Sequence, residues 1–484
     1  MKQSSSLNLT GRLFAGVGPT VQNGNVVSWR QIISIPADNN QALWTFMRHI
    51  VFAILLTRSI CDPIFSMFEV NMGGGPIGFG AVVNAVVIAI ALAFVLMRPT
   101  HAAFAVFAIW TPFLLVSLAA VFYAPQFGSA ARMFLVLVSY WAVFIIPFFL
   151  FRSGGDLRRF VLLVFASSIV PSLYSIVDIW RGLSDFAEFR LQSTFAHPNI
   201  YSFYLVLLLG LAFYVRASLA VIWPRGSRQA ITLYIPIIIA LIALTKTRSA
   251  WAASAAIYLF YAVRFERRLL FGILLVPLLL VVAPSLGDRF SDLTQGEEID
   301  DLSRLNREVK LNSLEWRAVL WESAIPAIVQ KPLLGHGLES FRISTPGFFP
   351  LAADASEAGE TDAHNFYLQI LFEMGSVGII AFIWLFGALS RQLAQGLRFD
   401  RAGVLLIFSI LAAYLAESYS DNMVYYLSFE WYFWFVMGTI CAWIGFVRSA
   451  TPLNAPIAPC RSLHKPISTR ATPPIFPRAT RMRQ

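Results

Sequence analysis

The sequence has few charged residues and few cysteines. Asp, Glu, Lys and Arg make up 13% of its 484 residues, whereas about 25% is usual for a soluble domain. Hydrophobic residues make up 57%, and the mean hydropathy is +0.66. This composition excludes most soluble classes. The cysteines Cys61, Cys441 and Cys460 lie far apart and include no C-x-x-C pair, which excludes a disulfide scaffold and argues against a cysteine metal site.

Several common signals are also missing. Residues 1–40 contain no compact apolar segment with a small-residue cleavage site, so we expect no cleaved signal peptide. We find no internal repeat, which argues against paired transporter halves. There is no Asp-x-Asp motif, and the glycine-rich stretch 73–78 lacks the Lys-Ser/Thr pair of a phosphate loop. The sequence therefore shows no sign of nucleotide chemistry.

The chain does contain many apolar segments of about the length of a membrane span. Twelve are predicted, at residues 43–61, 79–97, 102–124, 133–151, 160–180, 199–215, 230–245, 249–263, 269–286, 365–389, 403–420 and 427–447. Such runs favour a helical bundle over a barrel, whose strands would alternate. The predicted fold is an all-α polytopic membrane protein. The short seventh and eighth segments are either two spans or one broken hairpin.

The distribution of Lys and Arg predicts the topology. Basic residues concentrate in alternate loops, which places both termini in the cytoplasm. The predicted organisation is a lead, nine spans, a large outer loop, three spans and a tail, at residues 1–42, 43–286, 287–363, 364–447 and 448–484. The basic, proline-rich tail is either a disordered segment that obeys the same charge rule or a ligand for anionic lipid. The net charge of +10 is not assigned to nucleic acid, because no folded basic module is present.

The outer loop 287–363 is acidic and unusually long. Apolar residues from Leu314 to Val329 recur at helical spacing, which predicts an amphipathic helix. A long, ordered loop on one face of a bundle is more often functional than a linker.

Positive charges on the predicted outer side are rare. Arg190 precedes span six, and Lys246 with Arg248 occupies the short turn after span seven. One interpretation is that they reach to lipid headgroups or pair with carboxylates. The other is an anion site, because guanidinium matches phosphate oxygens in bidentate fashion. A lipid-linked pyrophosphate lies at this depth of the membrane.

His364 begins span ten and is a candidate general base. In an extended chain Glu360 and Asp362 face the same side as His364, so a carboxylate there would orient its ring. The alternatives are a hydrogen-bonded interfacial histidine or a metal site formed by these three residues, which is a weak ligand pattern. His336, in a glycine-containing turn, is either a second base candidate or part of a structural turn.

Four segments carry motifs in a fixed order. They are Arg190–Asn199 with Ser-Thr-Phe-x-x-Pro-Asn, Leu244–Trp251, Pro332–Phe341 with Gly-x-Gly, and His364–Gln369 followed by Glu373–Gly378. Together they resemble the O-antigen ligase and polysaccharide polymerase superfamily of bacterial envelopes. The similarity covers about residues 190–390.

The resemblance implies a GT-C-like fold and glycan transfer from an undecaprenyl diphosphate carrier to an acceptor hydroxyl at the periplasmic face of the inner membrane. It implies no metal and no other cofactor. Arg190 and Arg248 would hold the diphosphate with help from Lys246; the segment reads Lys246-Thr247-Arg248, where many members have serine before the arginine. His364 would be the base. Arg317 is a looser match to a basic position in the family's outer loop.

Asn365, next to the proposed base, is a supporting candidate together with Glu360, Asp362 and His336. The acceptor is either a growing glycan, as in a polymerase, or a lipid A core, as in a ligase, and both remain open. Membrane lipid and other polysaccharide assembly proteins are further expected partners, whereas nucleic acid is not.

A lipid-linked saccharide flippase or another transporter is the competing interpretation. Twelve spans fit that class. Transport sites usually need ionisable groups near the middle of the membrane, and the few in the predicted spans lie toward their ends. These residues are Asp178, Glu373, Glu417 and Glu430.

Overall fold

The computed structural model describes residues 41–62, 64, 69–71, 76–98, 104–182, 189–219, 221–274, 313–349 and 361–450. These residues fold almost entirely into α-helices. The helices are α1 (Gln41–Thr57), α2 (Phe79–Met97), α3 (Phe104–Phe122), α4 (Phe127–Leu150), α5 (Gly154–Ser167), α6 (Ile169–Gly182), α7 (Pro198–Ala217), α8 (Arg225–Leu244), α9 (Arg248–Arg264), α10 (Ser313–Gln330), α11 (Ser340–Phe348), α12 (Phe366–Ala394), α13 (Arg401–Ser420) and α14 (Leu427–Ala450). Short 3₁₀ helices cover Arg58–Ile60, Arg267–Leu274, Gln395–Arg398 and Met423–Tyr425. Strands β1 (Glu69–Asn71) and β2 (Pro76–Gly78) form an antiparallel pair that joins Glu69 to Gly78 and Asn71 to Pro76.

The prediction of an all-α polytopic membrane protein is confirmed. Nine helical segments of the described chain are long and apolar enough to cross a membrane, and Val106–Phe122 is a shorter apolar one. Helices α5 and α6 together form one of the nine. The eighth predicted span is α9, which has 17 residues. The ninth predicted span is described only as far as Leu274, where the chain is a 3₁₀ helix, so the total of twelve stays a prediction.

Helix α7 lies at the centre of the bundle. It is buried along nearly its whole length and contacts α8, α9, α13 and α14. An apolar helix that is buried on all sides is typical of the middle of a bundle. Helices α4 and α14 pack so closely that a Cβ on Gly438 would lie 2.0 Å from the carbonyl oxygen of Phe144. Small residues allow such contact between helix backbones.

The predicted amphipathic helix of the outer loop is present as α10. Its buried residues Val319, Leu320 and Ala324 belong to a small second core with Phe341 and Phe372. Of that loop, the structure describes only residues 313–349 and 361–363. The domain boundaries at 287 and 363 therefore remain predictions.

The Gly-x-Gly turn docks on a break in α12. Gly375 of α12 has φ +62°, and a Cβ there would lie 2.2 Å from the carbonyl oxygen of Leu333. The break leaves carbonyl groups of α12 available to the turn. The backbone N–H of His336 donates to Phe372 O over 2.9 Å, and that of Gly337 donates to Glu373 O over 2.8 Å. Glycine at 375 thus lets α12 hold the outer-loop helices.

The connections fall at two ends of the bundle. The site end holds residues 189–197, 245–247, 332–341, 361–365 and 421–426, which hydrogen bonds join to one another or to neighbouring helix ends. The far end holds the opposite helix ends, among them Arg216 and Asp400. The turn 245–247 joins two separate helices, α8 and α9. Of these two, α8 is one of the nine candidate spans, so the choice between two spans and a broken hairpin over 230–263 stays open.

Candidate functional site

Arg190 joins two of the predicted basic segments at the site end. Its half-buried guanidinium donates from Nε to the carbonyl oxygen of Thr245 over 3.2 Å. Its Nη2 donates to Asn199 Oδ1 over 2.8 Å and to Thr247 Oγ1 over 3.2 Å. Arg190 therefore fixes the turn that carries Lys246 and Arg248.

The turn itself is tightly built. Lys246 has φ +51°, and its side chain is only 3% exposed. The backbone N–H of Leu191 donates to Leu244 O over 3.0 Å, so the turn is also tied to the chain beside Arg190. Arg248 is half-buried and is the first residue of α9. The three basic side chains thus come from two adjoining segments.

Asp421 lies beside His364. The distance from His364 Nδ1 to Asp421 Oδ1 is 3.8 Å, and the two side chains are 36% and 2% exposed. Asp421 accepts hydrogen bonds from Asn199 Nδ2 over 2.6 Å, from the backbone N–H of Asn422 over 2.9 Å and from the hydroxyl of Tyr426. Asn199 therefore links the guanidinium of Arg190 to the carboxylate that faces His364.

The electrostatics favour a charged carboxylate at 421. Burial alone raises the pKa of Asp421, but contact with His364, the hydroxyl of Tyr426 and the positive charge of Arg317 outweigh it. The pKa of Asp421 therefore lies below its ordinary value. Arg317, from α10, is thus near enough to act on this centre. Partial burial and then the charge of Arg190 lower the pKa of His197, whose Nδ1 accepts the backbone N–H of Asn199 over 3.1 Å.

Backbone strain is concentrated at the site end. Among the described non-glycine residues, positive φ occurs at Ser193 (+56°), Lys246 (+51°), Glu339 (+64°) and His364 (+47°). Such conformations cost of order 1–3 kcal/mol and persist only where the surroundings enforce them. Two of the four are residues that the sequence had singled out for chemistry.

The convergence agrees with a comparison to known families. Residues 233–383 match the family model described as O-antigen ligase. This segment of the chain is similar to O-antigen ligases and is called the O-antigen ligase domain below. None of the curated proteins that were compared with the chain matches it.

The O-antigen ligase domain does not contain the whole site. It includes Lys246, Arg248, Arg317 and His364, whereas Arg190 precedes it and Asp421 follows it. The predicted resemblance to the superfamily is thus confirmed over residues 233–383. The roles of the individual residues remain proposals.

Two predicted supporting residues of the O-antigen ligase domain have local structural roles. Asn365 caps α12, because its Oδ1 accepts the backbone N–H of Leu368 over 3.1 Å. His336 Nε2 is 2.8 Å from the carbonyl oxygen of Ala327, and its ring stacks on Phe372 with centroids 4.7 Å apart. His336 therefore packs into the second core, which favours the structural turn over the second base.

The structure puts a different carboxylate beside His364 from those that sequence reasoning favoured. Glu360 lies outside the described residues. The negative charge of Asp362 acts on Glu339, Tyr425 and Tyr426. The extended chain that the prediction assumed is not present at His364, which has φ +47°, and a contact of Asp362 with His364 stays a prediction. No group of three or more His, Cys, Asp or Glu side chains in the described chain is placed to hold a metal ion. The metal interpretation needs Glu360 and stays untested.

Sequence reasoning missed Asp421, Gln369 and Glu339. Asp421 and Asn422 form a polar pair at the start of the short connection between the last two predicted spans, before Met-Val-Tyr-Tyr, and that pair was the available signal. Gln369 and Glu339 lie within motifs that the resemblance had named. Burial raises the pKa of Glu339, and the negative charge of Asp362 adds to it, whereas a hydrogen bond to Tyr425 lowers it.

Proposed function

We propose that this protein is a glycosyltransferase that moves a glycan from an undecaprenyl diphosphate carrier to an acceptor hydroxyl. One observation carries the proposal: the chain of contacts Arg190–Asn199–Asp421–His364 joins an anion-binding group to a candidate base. The O-antigen ligase domain supports a glycosyl-transfer enzyme with lipid-linked glycan and acceptor substrates.

The basic turn is assigned to the diphosphate. Arg248 begins α9 at the end of two apolar helices, where a polyprenyl chain in the membrane would present its diphosphate. Arg190 holds the turn through Thr245 and Thr247 and adds its charge to the site. A guanidinium stabilises the negative charge that develops on the leaving diphosphate. The proposal therefore assigns charge stabilisation to arginine.

His364 is assigned as the base. Its Nδ1 faces Asp421, which leaves Nε2 to accept a proton from the acceptor hydroxyl. The hydroxyl oxygen bonds to the anomeric carbon while the bond from that carbon to the phosphate oxygen breaks. Undecaprenyl diphosphate leaves with the electron pair, and Asp421 stabilises the imidazolium. Catalytic contacts often shorten only when substrate is bound, as we expect of the 3.8 Å separation.

The location follows from the predicted topology. Both termini are placed in the cytoplasm and the site end at the periplasmic face of the inner membrane. The acceptor is a lipid A core if the protein is a ligase and a growing glycan if it is a polymerase.

His364→Ala, in a strain that lacks the native protein, tests the proposal. We expect transfer to fall by about 10²–10⁴-fold because the base is lost. Glycans would be separated into carrier-linked, lipid A-linked and secreted pools after membrane levels of the variant are matched. Accumulation of single carrier-linked repeats in the variant would identify the protein as a polymerase. Accumulation of long carrier-linked chains would identify it as a ligase.

His49→Ala is the matched control, because His49 is exposed and bonds only its own helix through Thr45 O. It should leave all three pools unchanged. Unchanged pools in His364→Ala would remove the base assignment. Movement of carrier lipid across vesicles without a new glycosidic bond would instead favour the flippase.

A further inference from the structure

The side-chain amide of Gln369 makes four hydrogen bonds inside the protein. Its oxygen accepts from the backbone N–H of Ala363 over 3.1 Å and from Asn422 Nδ2 over 3.0 Å. Its nitrogen donates to Glu373 Oε1 over 2.6 Å and to the hydroxyl of Tyr425 over 3.2 Å. The residue is 2% exposed. Two acceptor sites and two donors are all that a carboxamide has, so the group is fully used.

The amide oxygen connects the two segments that carry the proposed base and its carboxylate. Ala363 precedes His364, and Asn422 follows Asp421. We infer that Gln369 is a positioning residue that holds His364 beside Asp421. The inference rests on the proposed function, because it assigns those two residues to the reaction.

The strained conformation of His364 needs such support. With φ +47°, this residue would relax to negative φ if the preceding peptide were free to turn. Both backbone polar groups of Ala363 are held: Gln369 accepts from its N–H, and Trp321 Nε1 donates to its carbonyl oxygen over 2.7 Å. Ala363 itself has no exposed surface. The peptide group before Ala363 is therefore held by Gln369, and the one between Ala363 and His364 is held by Trp321.

Glu373 accepts on the donor side of the amide and so keeps it in this orientation. The backbone N–H of Ala363 only donates hydrogen bonds, so the oxygen of Gln369 faces Ala363 and Asn422, and its nitrogen faces Glu373 Oε1. Glu373 is 3% exposed and fixed one helical turn along α12. Glutamine is thus needed at 369 because one face must donate while the other accepts.

Gln369→Leu tests the inference in protein purified into lipid nanodiscs. The donor is the carrier-linked glycan extracted from a strain that lacks the protein, and membranes of that strain supply the acceptor. We expect kcat to fall about 10–100-fold because the base is displaced by a fraction of an ångström to an ångström. The KM for donor and the Kd for undecaprenyl diphosphate should not change, because the basic turn is untouched.

Gln392→Leu is the control, since Gln392 lies on the same helix at the far end and accepts from Gln395. Hydrogen exchange should speed up in Gln369→Leu only in peptides covering 361–369 and 421–426. Faster exchange throughout the protein, or a wild-type kcat, would overturn the inference.

A swap of donor and acceptor tests the role of Glu373. Gln369→Glu should also slow transfer, because a carboxyl group replaces the amide nitrogen that donates to Glu373. Adding Glu373→Gln moves the donor to position 373, so the double variant should transfer faster than Gln369→Glu alone. A double variant no faster than that would contradict the orienting role of Glu373.

The outcome for Gln369 is separable from that of the proposed function. If His364→Ala and Arg248→Ala are inactive while Gln369→Leu is normal, only the positioning role fails. If His364→Ala is fully active, the base assignment of the proposed function is wrong, and the positioning role of Gln369 loses its basis with it.

Discussion

The arginine side chains at the two ends of α7 have different kinds of hydrogen-bond partners. At the far end, Arg216 forms an ion pair with Glu266, and Arg228 donates to backbone carbonyls at the end of α7. These are ordinary helix-end contacts. At the site end, Arg190 donates to an amide, a hydroxyl and a carbonyl, and the network continues to Asp421. A polar network that joins several separate segments indicates a functional site more strongly than contacts at the end of a single helix do.

The backbone shows the same contrast. The far end caps its helices without strain: Ser153 and Asp156 form a capping box, and Asp400 accepts the backbone N–H of Gly403 over 2.9 Å. The four described non-glycine residues with positive φ lie at the site end. Strain that tertiary contacts enforce, and that local sequence does not require, is typical of sites that position chemistry.

Replacing an arginine at each end should give the largest difference. Arg248→Ala should reduce transfer by roughly 10²–10³-fold, as expected when one donor to a developing negative charge is lost. Arg216→Ala should leave transfer per molecule unchanged and lower stability by about 1 kcal/mol or less, because its ion pair is partly exposed. Glycan transfer and thermal unfolding of both variants measure this. Equal losses of transfer in the two variants would contradict the claim that the functional site lies at only one end of α7.

Replacing one buried aspartate at each end should give a smaller difference in transfer than the arginine replacements do. Asp421→Asn should slow transfer by up to about 100-fold, because His364 loses the charge that orients it. Asp156→Asn, in the far-end capping box, should affect only stability. The pKa of Asp421 also predicts how stability depends on pH. Because this pKa is lowered in the folded protein, the charge of Asp421 contributes fully to stability above its ordinary pKa of 3.8, and that contribution is lost as the pH falls through the lowered pKa.

Transfer rates at neutral pH and unfolding curves in acid separate these effects. A fast Asp421→Asn enzyme would mean that the contact with His364 is incidental.

The smallest effect concerns Asp400 at the far end. Burial raises its pKa from 3.8 to about 6, so the folded protein binds more protons there than the unfolded chain, and stability falls as pH rises across that interval. Asp400→Asn keeps an acceptor for Gly403 and should remove this fall. The Tm of the variant relative to wild type should therefore rise between about pH 4 and pH 6. Glu322→Gln, at an exposed position, should show no such trend, and a flat difference for Asp400→Asn would contradict the assignment.

Local patterns predicted several features correctly. The helices α10 and α12 and the turn 245–248 lie where apolar spacing and charge placed them. Arg190 and the Lys246 turn were singled out because both break the charge rule at one face, and the structure joins them. By contrast, Asp362 was favoured beside His364 by counting along an extended strand. That count assumes an extended chain, whereas His364 has φ +47°, so the place of Asp362 beside it stays a prediction.

The sequence by itself determined that the chain is a helical membrane protein and which basic residues stand out, because apolar length and charge excess are properties of consecutive residues. Only the tertiary structure decided which carboxylate faces His364 and how Gln369 holds both segments. Asp421 and Asn422 lie more than fifty residues beyond His364 in the chain. Their contacts exist because α12, α13 and α14 pack side by side, and no local pattern records that packing.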